Sequence, residues 1–167
     1  GTAGHVLGMS SMTAGWVIAG SSSQWKDARM GKLAQALVEG DYGNPLFILD
    51  ELDKGHGDPR YDVYGGLYQL FEAETAQAFK DEFLEVEMDM RHVLWVATAN
   101  EVSCMPAPIL DRMTVYDVPM PNEAQGKTIA GNIYKGMLSE HATWKFAAEL
   151  QDEALARCAD QQRHSER

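Results

Sequence analysis

The sequence predicts an α/β protein, in which a parallel sheet flanked by helices is followed by an all-helical part. Two continuous apolar runs, at residues 46–49 and 93–99, have the length and composition of strands buried inside a parallel sheet. Apolar residues between positions 30 and 39 recur at the helical period, so helices alternate with these strands. Beyond residue 122 only helical patterns remain.

The first quarter of the chain contains a short strand, a loop and a helix. Residues 5–9 are predicted as the strand, which ends at two serines. Residues 15–23 are rich in Gly and Ser and are predicted as a loop, within which residues 16–18 fit either a helical turn or a strand. The helix at residues 30–39 ends where a group of turn residues begins at Gly40.

The first buried strand, residues 46–49, ends in two adjacent carboxylates, Asp50 and Glu51. Pro45 fits at its first residue, where a lost backbone N–H does least harm. Because no polar residue interrupts the run, we expect both faces of the strand to be buried. Open α/β sheets bind ligands at the carboxyl ends of their strands, and alternation points the two acids in different directions. One carboxylate can then lie near Mg²⁺ and the other near an attacking water. The alternative is that both acids are simply solvated at the end of the strand.

Three further elements follow the acidic pair. Apolar and aromatic spacing predicts an amphipathic helix at residues 61–71, and alternation with period two predicts a half-exposed strand at residues 83–89. The second buried strand, at residues 93–100, ends in Asn100, whose amide both donates and accepts hydrogen bonds. If the two buried strands are neighbours, this amide lies beside the acids and can position a water and a phosphate oxygen together.

The α/β part ends near a group of prolines. A short helix is predicted at residues 106–110, with prolines at its entry positions, and a third strand is predicted at residues 113–118. The composition changes at residues 119–121, which predicts an α/β domain at residues 1–121 and part of a helical domain at residues 122–167.

The helical part is predicted from two apolar stripes. The first consists of Ile129, Ile133, Met137 and Leu138. The second extends from residue 146 to Cys158 and predicts one or two further helices. No internal repeat or low-complexity tract interrupts this organisation.

Composition limits the partners and the compartment. The formal net charge is −11, from 14 basic and 25 acidic residues among 167, which argues against a broad nucleic-acid footprint. No apolar run approaches membrane-spanning length and no signal peptide is visible, so we expect no membrane partner. Cys104 and Cys158 lie far apart without metal-type spacing, which fits a reduced, cytoplasmic protein. Because the first residue is Gly1 and not Met, we expect a fragment or a processed chain.

Four segments together resemble the ATPase module of Lon-type proteases, within the AAA+ superfamily. They are residues 44–54, 83–86, 96–100 and 106–113. They occur in the order of that family and at similar spacing, and the similarity covers roughly residues 5–140. The resemblance implies a partial AAA+ P-loop NTPase fold, followed by part of an all-α lid, with ATP and Mg²⁺ as ligands.

The resemblance also implies roles for individual residues. Asp50 and Glu51 match the Walker B pair, in which the first acid holds Mg²⁺ through its water shell and the second orients the water that attacks the γ-phosphate. Asn100 matches sensor 1. Arg112 matches the arginine finger, which acts on the nucleotide of a neighbouring subunit and therefore requires a ring, usually a hexamer. The alternative for Arg112 is a salt bridge to a nearby acid such as Asp111.

Trp25 and Lys26 match the position of the axial pore loop, which grips a polypeptide substrate and pulls it through the ring. From composition alone, a Trp in a polar loop more often packs back onto the core. The resemblance reverses this preference. Lys26 departs from the family, because an apolar residue usually follows the aromatic one.

The chain contains no Gly-rich loop ending in Lys that would cradle phosphates. Gly31 and Lys32 lie inside a predicted helix, without a preceding Gly-rich turn. The Ser–Lys proteolytic domain of Lon proteases also has no match here. We therefore expect a piece that begins after the phosphate loop and that binds ATP poorly by itself.

Two functional hypotheses remain, and a third is weaker. The first is an ATP-driven protein remodeller, of which this chain is an incomplete module. The second is a non-catalytic AAA+-like fragment that serves assembly or interaction. A clamp loader or helicase is the third, and the acidic balance speaks against it.

Overall fold

The computed structural model describes residues 2–12, 15–55, 62–141, 146–148, 150–151, 153–155 and 157. The chain divides into two compact units, Gly1–Val115 and Tyr116–Arg167. The division lies shortly before the prolines at which the composition changes, and the domain assignment at residues 1–121 and 122–167 stays a prediction.

Eleven strands and helices have both ends within the described part of the chain, besides the helical residues 153–155 and 157. In chain order they are β1 (Gly4–Gly8), α1 (Trp16–Ala19), α2 (Lys32–Glu39), β2 (Leu46–Asp50), α3 (Gly65–Leu70), α4 (Ala73–Ala76), β3 (Phe79–Lys80), β4 (Glu87–Met88), β5 (Leu94–Ala97), α5 (Ala107–Leu110) and α6 (Glu123–Glu140). Short 3-10 turns follow β1, β2 and β5, at Met9–Ser11, Leu52–Lys54 and Val102–Cys104.

A three-stranded parallel sheet in the order β1-β2-β5 forms the centre of the first unit. Leu49 of β2 pairs with Leu7 on one side and with Ala97 on the other. Parallel neighbours need crossover connections, and helices α1 and α2 lie in the connection between β1 and β2. The prediction of a parallel sheet flanked by helices, compatible with a partial P-loop NTPase fold, is confirmed.

The helix-covered face of this sheet carries the core. Its side chains alternate with those of the opposite face, as strand geometry requires. Phe47 and Leu49 are buried there, and the ring of Phe47 lies 5.1 Å from that of His5 and 5.3 Å from that of Trp95. Phe71, at the end of α3, meets Trp95 edge-on at 5.4 Å. This aromatic row joins all three strands to the helical layer.

The expectation that β2 and β5, the two apolar runs, are buried on both faces is wrong for the part of the chain that the structure describes. On the opposite face of the sheet, Val6, Leu94 and Val96 are 66%, 52% and 50% exposed. Leu46 and Ile48 of β2 itself are half-buried there. A continuous apolar run identifies a parallel strand, but it does not reveal whether the same chain covers both of its faces.

Two predicted strands are corrected. The segment at residues 83–89 is mostly a turn within a hairpin, in which β3 and β4 pair antiparallel and Phe79 faces Met88. Glu85 in that turn has a positive φ of 56°, which breaks the extended conformation. The segment at residues 113–118 forms no strand, because no described strand pairs with it, and its Val115, Tyr116 and Val118 side chains are exposed.

The helices agree better with the prediction. The ambiguous residues 16–18 lie in the helical turn α1, and the predicted helix at residues 61–71 is shorter, as α3, with Tyr61 outside the described residues. Helix α4 was not predicted. Helix α6 begins with a capping box, in which Asn122 and Gln125 bond to each other's backbone N–H groups. Of the second predicted stripe, Cys158 lies outside the described residues, whereas residues 153–155 are helical.

None of the helices within the described ranges is long and apolar enough to cross a membrane. Helix α6 is the longest of them, and charged and polar residues occur throughout it. Its stripe residues Ile133 and Met137 are exposed, so this helix presents an apolar side to its surroundings.

We expect the two faces of the sheet to differ sharply in their contribution to stability. Leu49→Ala removes a fully buried side chain and should lower the free energy of unfolding by about 2–5 kcal/mol. Leu94→Ala, the matched control on the exposed face, should cost about 1 kcal/mol or less, since half of that side chain already contacts water. Urea unfolding of both variants measures the difference, and equal losses would contradict the one-sided core.

Candidate functional site

The carboxyl end of β2 holds the two predicted acids in different environments. Asp50 ends the strand and is exposed, whereas Glu51 is half-buried and has φ 55° and ψ 51°. This left-handed conformation costs a residue with a side chain roughly 1–2 kcal/mol, so the surroundings must hold it. The Glu51 N–H donates to the hydroxyl oxygen of Thr98 at 2.9 Å, which is one such restraint.

Thr98 joins the two strand ends. Its hydroxyl donates to Asp50 Oδ1 at 2.7 Å while it accepts the N–H of Glu51. Its backbone N–H donates to Leu49 at 3.0 Å, and its carbonyl accepts the N–H of Leu52 at 2.8 Å. One residue of the neighbouring segment therefore fixes four consecutive residues at the end of β2.

Sequence reasoning did not single out Thr98, because a Thr in an apolar run looks like an ordinary strand residue. A signal was present nonetheless. Thr98 stands two residues before Asn100 at the end of the second buried strand, and parallel pairing brings that end level with the acids. A hydroxyl at this position can donate to one acid and accept from the backbone of the other.

Asp53 is a second residue that sequence reasoning missed. Its carboxylate is 1% exposed and accepts the backbone N–H groups of Asn100 at 3.3 Å and Glu101 at 3.4 Å. Burial raises the pKa of the Asp53 carboxyl, but the backbone N–H donors and the neighbouring Lys54 ammonium outweigh burial, so this pKa lies below its ordinary value of 3.8. The buried carboxylate thus holds the segment after β5 against the turn after β2.

The predicted neighbourhood of Asp50, Glu51 and Asn100 is built from these contacts. Thr98 contacts both acids, and Asp53, two residues beyond Glu51, binds the backbone of Asn100. The Asn100 residue itself is exposed. The edge of the sheet therefore offers one exposed carboxylate, one half-buried carboxylate and one amide along two adjoining segments.

The side chains at this edge of the sheet can hold Mg²⁺ only when other ligands complete the coordination shell of the ion. Mg²⁺ is commonly held by one or two carboxylates, with phosphates and several waters as its remaining ligands. Asp50 supplies an exposed carboxylate, one oxygen of which accepts the Thr98 hydroxyl. Within the described ranges, no group of three His, Cys, Asp or Glu side chains comes together that could hold a metal ion by itself.

Arg112 follows α5 and is held within its own unit. One terminal nitrogen donates to the Pro108 carbonyl at 2.6 Å, and the other forms an ion pair with Glu72 at 2.5 Å. The acid that pairs with it is therefore Glu72, at the start of α4, and not the neighbouring Asp111. Among the described residues, no hydrogen bond or ion pair joins Arg112 to the acids or to Asn100.

Trp25 and Lys26 lie in the connection between α1 and α2, and both are exposed. Trp25 is 73% exposed, so the alternative that it packs back onto the core is wrong. No described hydrogen bond joins this connection to the edge that carries Asp50 and Glu51.

The start of α2 does not act as a phosphate cradle. Gly31 precedes the helix and Lys32 is its first residue, so the expectation that both lie inside the helix is corrected. The Gly31 N–H, which would face an anion there, already donates to the buried carboxylate of Asp81 at 2.8 Å. A negative charge at this point excludes a second one.

No protein-family model matches the chain. Curated relatives that match it are Lon proteases. The chain is 34% identical over 139 residues to the Lon protease of Dictyoglomus thermophilum, covering 83% of this chain and 18% of that protein. It is 38% identical over 101 residues to the Lon protease of Porphyromonas gingivalis, covering 60% and 12%. For the Lon protease of Heliobacterium modesticaldum the values are 33% over 141 residues, 84% and 17%. The chain thus spans less than a fifth of the length of these relatives.

Asp53→Asn tests the buried carboxylate. We expect it to lower the free energy of unfolding at neutral pH by about 1–3 kcal/mol, because an amide cannot accept on both sides. The carboxyl has a lower pKa folded than unfolded, so its stabilisation is complete above the ordinary value of 3.8 and is lost as the pH falls through the folded-state value.

The difference in the free energy of unfolding between wild type and Asp53→Asn, measured with urea, should therefore stay constant from neutral pH to about 5. It should shrink in more acidic solution. Asp41→Asn, in an exposed turn, is the matched control and should differ little from wild type at any pH. A difference that grows on acidification would contradict the assignment.

Proposed function

Most of this chain is a Lon-like region, and on that premise we propose that its full-length protein hydrolyses ATP and uses the energy to unfold or remodel protein substrates. The observation that carries this proposal is the arrangement at the end of β2. There, the Thr98 hydroxyl donates to the exposed carboxylate of Asp50 and accepts the backbone N–H of Glu51, and Asn100 lies on the adjoining segment. This arrangement suits hydrolysis of a phosphoanhydride that is held at the edge of the sheet.

In the proposed reaction the two acids have separate tasks. Asp50 holds Mg²⁺ through its waters, and the bound ion supplies positive charge against the phosphate oxygens. Glu51 orients and polarises the attacking water. The hydrogen bonds of Thr98 support this division, because they fix the Asp50 carboxylate and the Glu51 backbone in different orientations.

Asn100 is proposed to position the water and a phosphate oxygen through its side-chain amide. Its backbone N–H is engaged by Asp53, which leaves the exposed side chain for the nucleotide. Such a residue contributes mainly by orientation, and small displacements of it are costly in rate.

Arg112 is proposed to act on the nucleotide of a neighbouring subunit in a homo-oligomeric ring, a hexamer. The Arg112 side chain is 25% exposed and that of its partner Glu72 is 48% exposed. Because Glu72 lies at the surface, a more highly charged phosphate can replace it as the partner of Arg112. In the part of the chain that the structure describes, no hydrogen bond or ion pair joins Arg112 to Asp50 or Glu51, which agrees with action in trans.

Trp25 and Lys26 are proposed to contact the polypeptide substrate. A large, exposed aromatic ring on a loop offers apolar contact area that tolerates different sequences. Lys26 beside it adds a positive charge.

The phosphates of ATP require donors from outside these 167 residues, since no Gly-rich phosphate loop occurs in them. We further propose a cytoplasmic protein with polypeptide substrates and without nucleic-acid or membrane partners. The net charge of −11 supports the absence of a nucleic-acid role.

A second candidate function is a non-catalytic module for assembly or interaction. The exposed apolar face formed by Val6, Leu94 and Val96 favours it, because such a surface is commonly covered by another segment or chain. This candidate predicts a full-length protein whose thermal unfolding is indifferent to Mg·ATP, whereas the first predicts stabilisation.

Glu51→Gln in the full-length protein is the direct test of ATP hydrolysis. The amide cannot take up a proton, so the rate should fall by about 10²–10⁴-fold while ATP binding persists. The matched control is Glu87→Gln on β4, an exposed residue away from the sheet edge, which should hydrolyse ATP as wild type does. Unchanged hydrolysis in Glu51→Gln would reject the proposed catalytic role.

Trp25→Ala tests the contact with polypeptide. Loss of the ring should raise the polypeptide concentration needed for half-maximal stimulation of the ATPase by roughly tenfold or more. Trp16→Ala removes another partly exposed ring, on α1, and serves as the matched control. If both variants respond to an unfolded polypeptide as wild type does, Trp25 is not a gripping residue.

A further inference from the structure

Residues 21–30, here called the Trp25 loop, are closed at their base by hydrogen bonds. The Ser21 N–H donates to the Arg29 carbonyl at 3.1 Å, and the Arg29 N–H donates to the Ser21 hydroxyl oxygen at 3.0 Å. Within the loop, Trp25 donates to the Ser22 carbonyl and accepts from Ala28, both at 3.1 Å. The loop is therefore an ordered projection with Trp25 near its tip.

Both ends of the Trp25 loop meet at one buried carboxylate. Asp81, directly after β3, is 0% exposed, and its Oδ2 accepts the N–H of Gly31, the first residue after the loop, at 2.8 Å. Gly20, the last residue before the loop, has φ +82°, and a Cβ built on it would lie 2.7 Å from both carboxylate oxygens. The backbone next to Gly20 is also fixed, because the Ala19 carbonyl accepts the Glu82 N–H at 2.9 Å.

The remaining contacts of Asp81 hold its own turn. Its Oδ1 accepts the N–H groups of Phe83 and Leu84, both at 3.0 Å. These bonds are local, whereas the bond to Gly31 spans 50 residues of sequence. A buried carboxylate that is charged requires such donors, and hydrogen bonds to charged groups are stronger than those between neutral groups. Asp81 thus ties the β3–β4 hairpin to the Gly31 end of the Trp25 loop, and its carboxylate lies close to Gly20 at the other end.

We propose that Asp81 is a positioning residue for polypeptide engagement, which fixes the base of the Trp25 loop so that a pull on Trp25 is transmitted to the body of the protein. The role in polypeptide engagement rests on the proposed function, whereas the anchoring of the loop does not. A loop that bears a load must have both ends fixed. Here Asp81 binds the Gly31 N–H at one end, and its neighbour Glu82 binds the Ala19 carbonyl at the other. Gly20 permits the close approach of the backbone to that carboxylate. Gly31 permits the close packing of the two loop ends, because a Cβ built on it would overlap the Ile18 carbonyl oxygen and lie 2.5 Å from the Gly20 nitrogen.

Asp81→Asn in the full-length protein separates the loop contact from the turn contacts. An Asn side chain that keeps its oxygen towards Phe83 and Leu84 turns its amide group towards the Gly31 N–H, so two donors face each other. Trypsin cleavage after Lys26 and Arg29 then reports opening of the loop in the folded protein. We expect this cleavage to accelerate about tenfold or more, as loss of one hydrogen bond to a charged group implies.

Asp89→Asn, just after β4 in the same hairpin, is the matched control. Asp89 is exposed and bonds to Arg91, away from the loop, so the cleavage rate in the loop should equal that of wild type. Gly20→Ala is a second, independent variant, because its Cβ would push the carboxylate away, and it should accelerate the same cleavages even if Asp81→Asn does not fold. Unaccelerated cleavage in the folded variants overturns the anchoring.

The functional measurement is the dependence of ATP hydrolysis on an unfolded polypeptide. We expect Asp81→Asn to raise the polypeptide concentration for half-maximal stimulation by about tenfold, with a smaller change in the maximal rate. The role in polypeptide engagement is overturned if only the maximal rate falls. It is also overturned if the polypeptide dependence is unchanged while the cleavage accelerates. If Trp25→Ala is also without effect, the proposed function of the loop fails while the anchor stands.

Discussion

The hydroxyl of Thr98, which bonds to Asp50 and accepts from Glu51, is the interaction on which the candidate site depends. It exists because β2 and β5 are parallel neighbours in a register that pairs Leu49 with Ala97. A shift by one residue would turn Thr98 to the other face of the sheet and separate it from Asp50. The left-handed backbone of Glu51 therefore depends on the sheet register as well as on its own sequence.

Two buried carboxylates, at different places in the fold, each bind the backbone of a distant segment. Asp53 binds the backbone after β5, and Asp81 binds the backbone before α2. Each is almost completely buried, and each accepts at least one N–H group from a segment distant in sequence. A buried charge is tolerated only when its donors are in place, so each carboxylate specifies the position of a loop more sharply than an apolar contact would.

The two faces of the sheet in the first unit differ in burial. Parallel sheets are usually covered on both sides, yet Val6, Leu94 and Val96 remain exposed on one side here. The covered side contains the aromatic row and the core, which suffices to define the strand order and the register. The candidate site lies at the carboxyl edge of this sheet. A segment or chain that covered the exposed face would therefore lie next to the site.

Strand β3 and helix α4 could not be recognised from the sequence, but the three parallel strands, most of the other helices, the acidic pair and Asn100 could. The reason is that apolar runs, helical periodicity and polar residues at strand ends are local signals. The sequence was misleading at residues 83–89 and 113–118, where alternating or apolar residues lie in a turn or remain without a pairing strand.

The roles of Thr98, Asp53 and Asp81 were decided only by the tertiary structure. Each depends on donors or acceptors that are 47 to 50 residues away in sequence. A carboxylate or hydroxyl in a polar stretch looks solvated until the fold brings those partners to it. The exposure of Trp25 was likewise settled by packing, because a single aromatic residue in a loop has no periodic pattern that shows which way it faces.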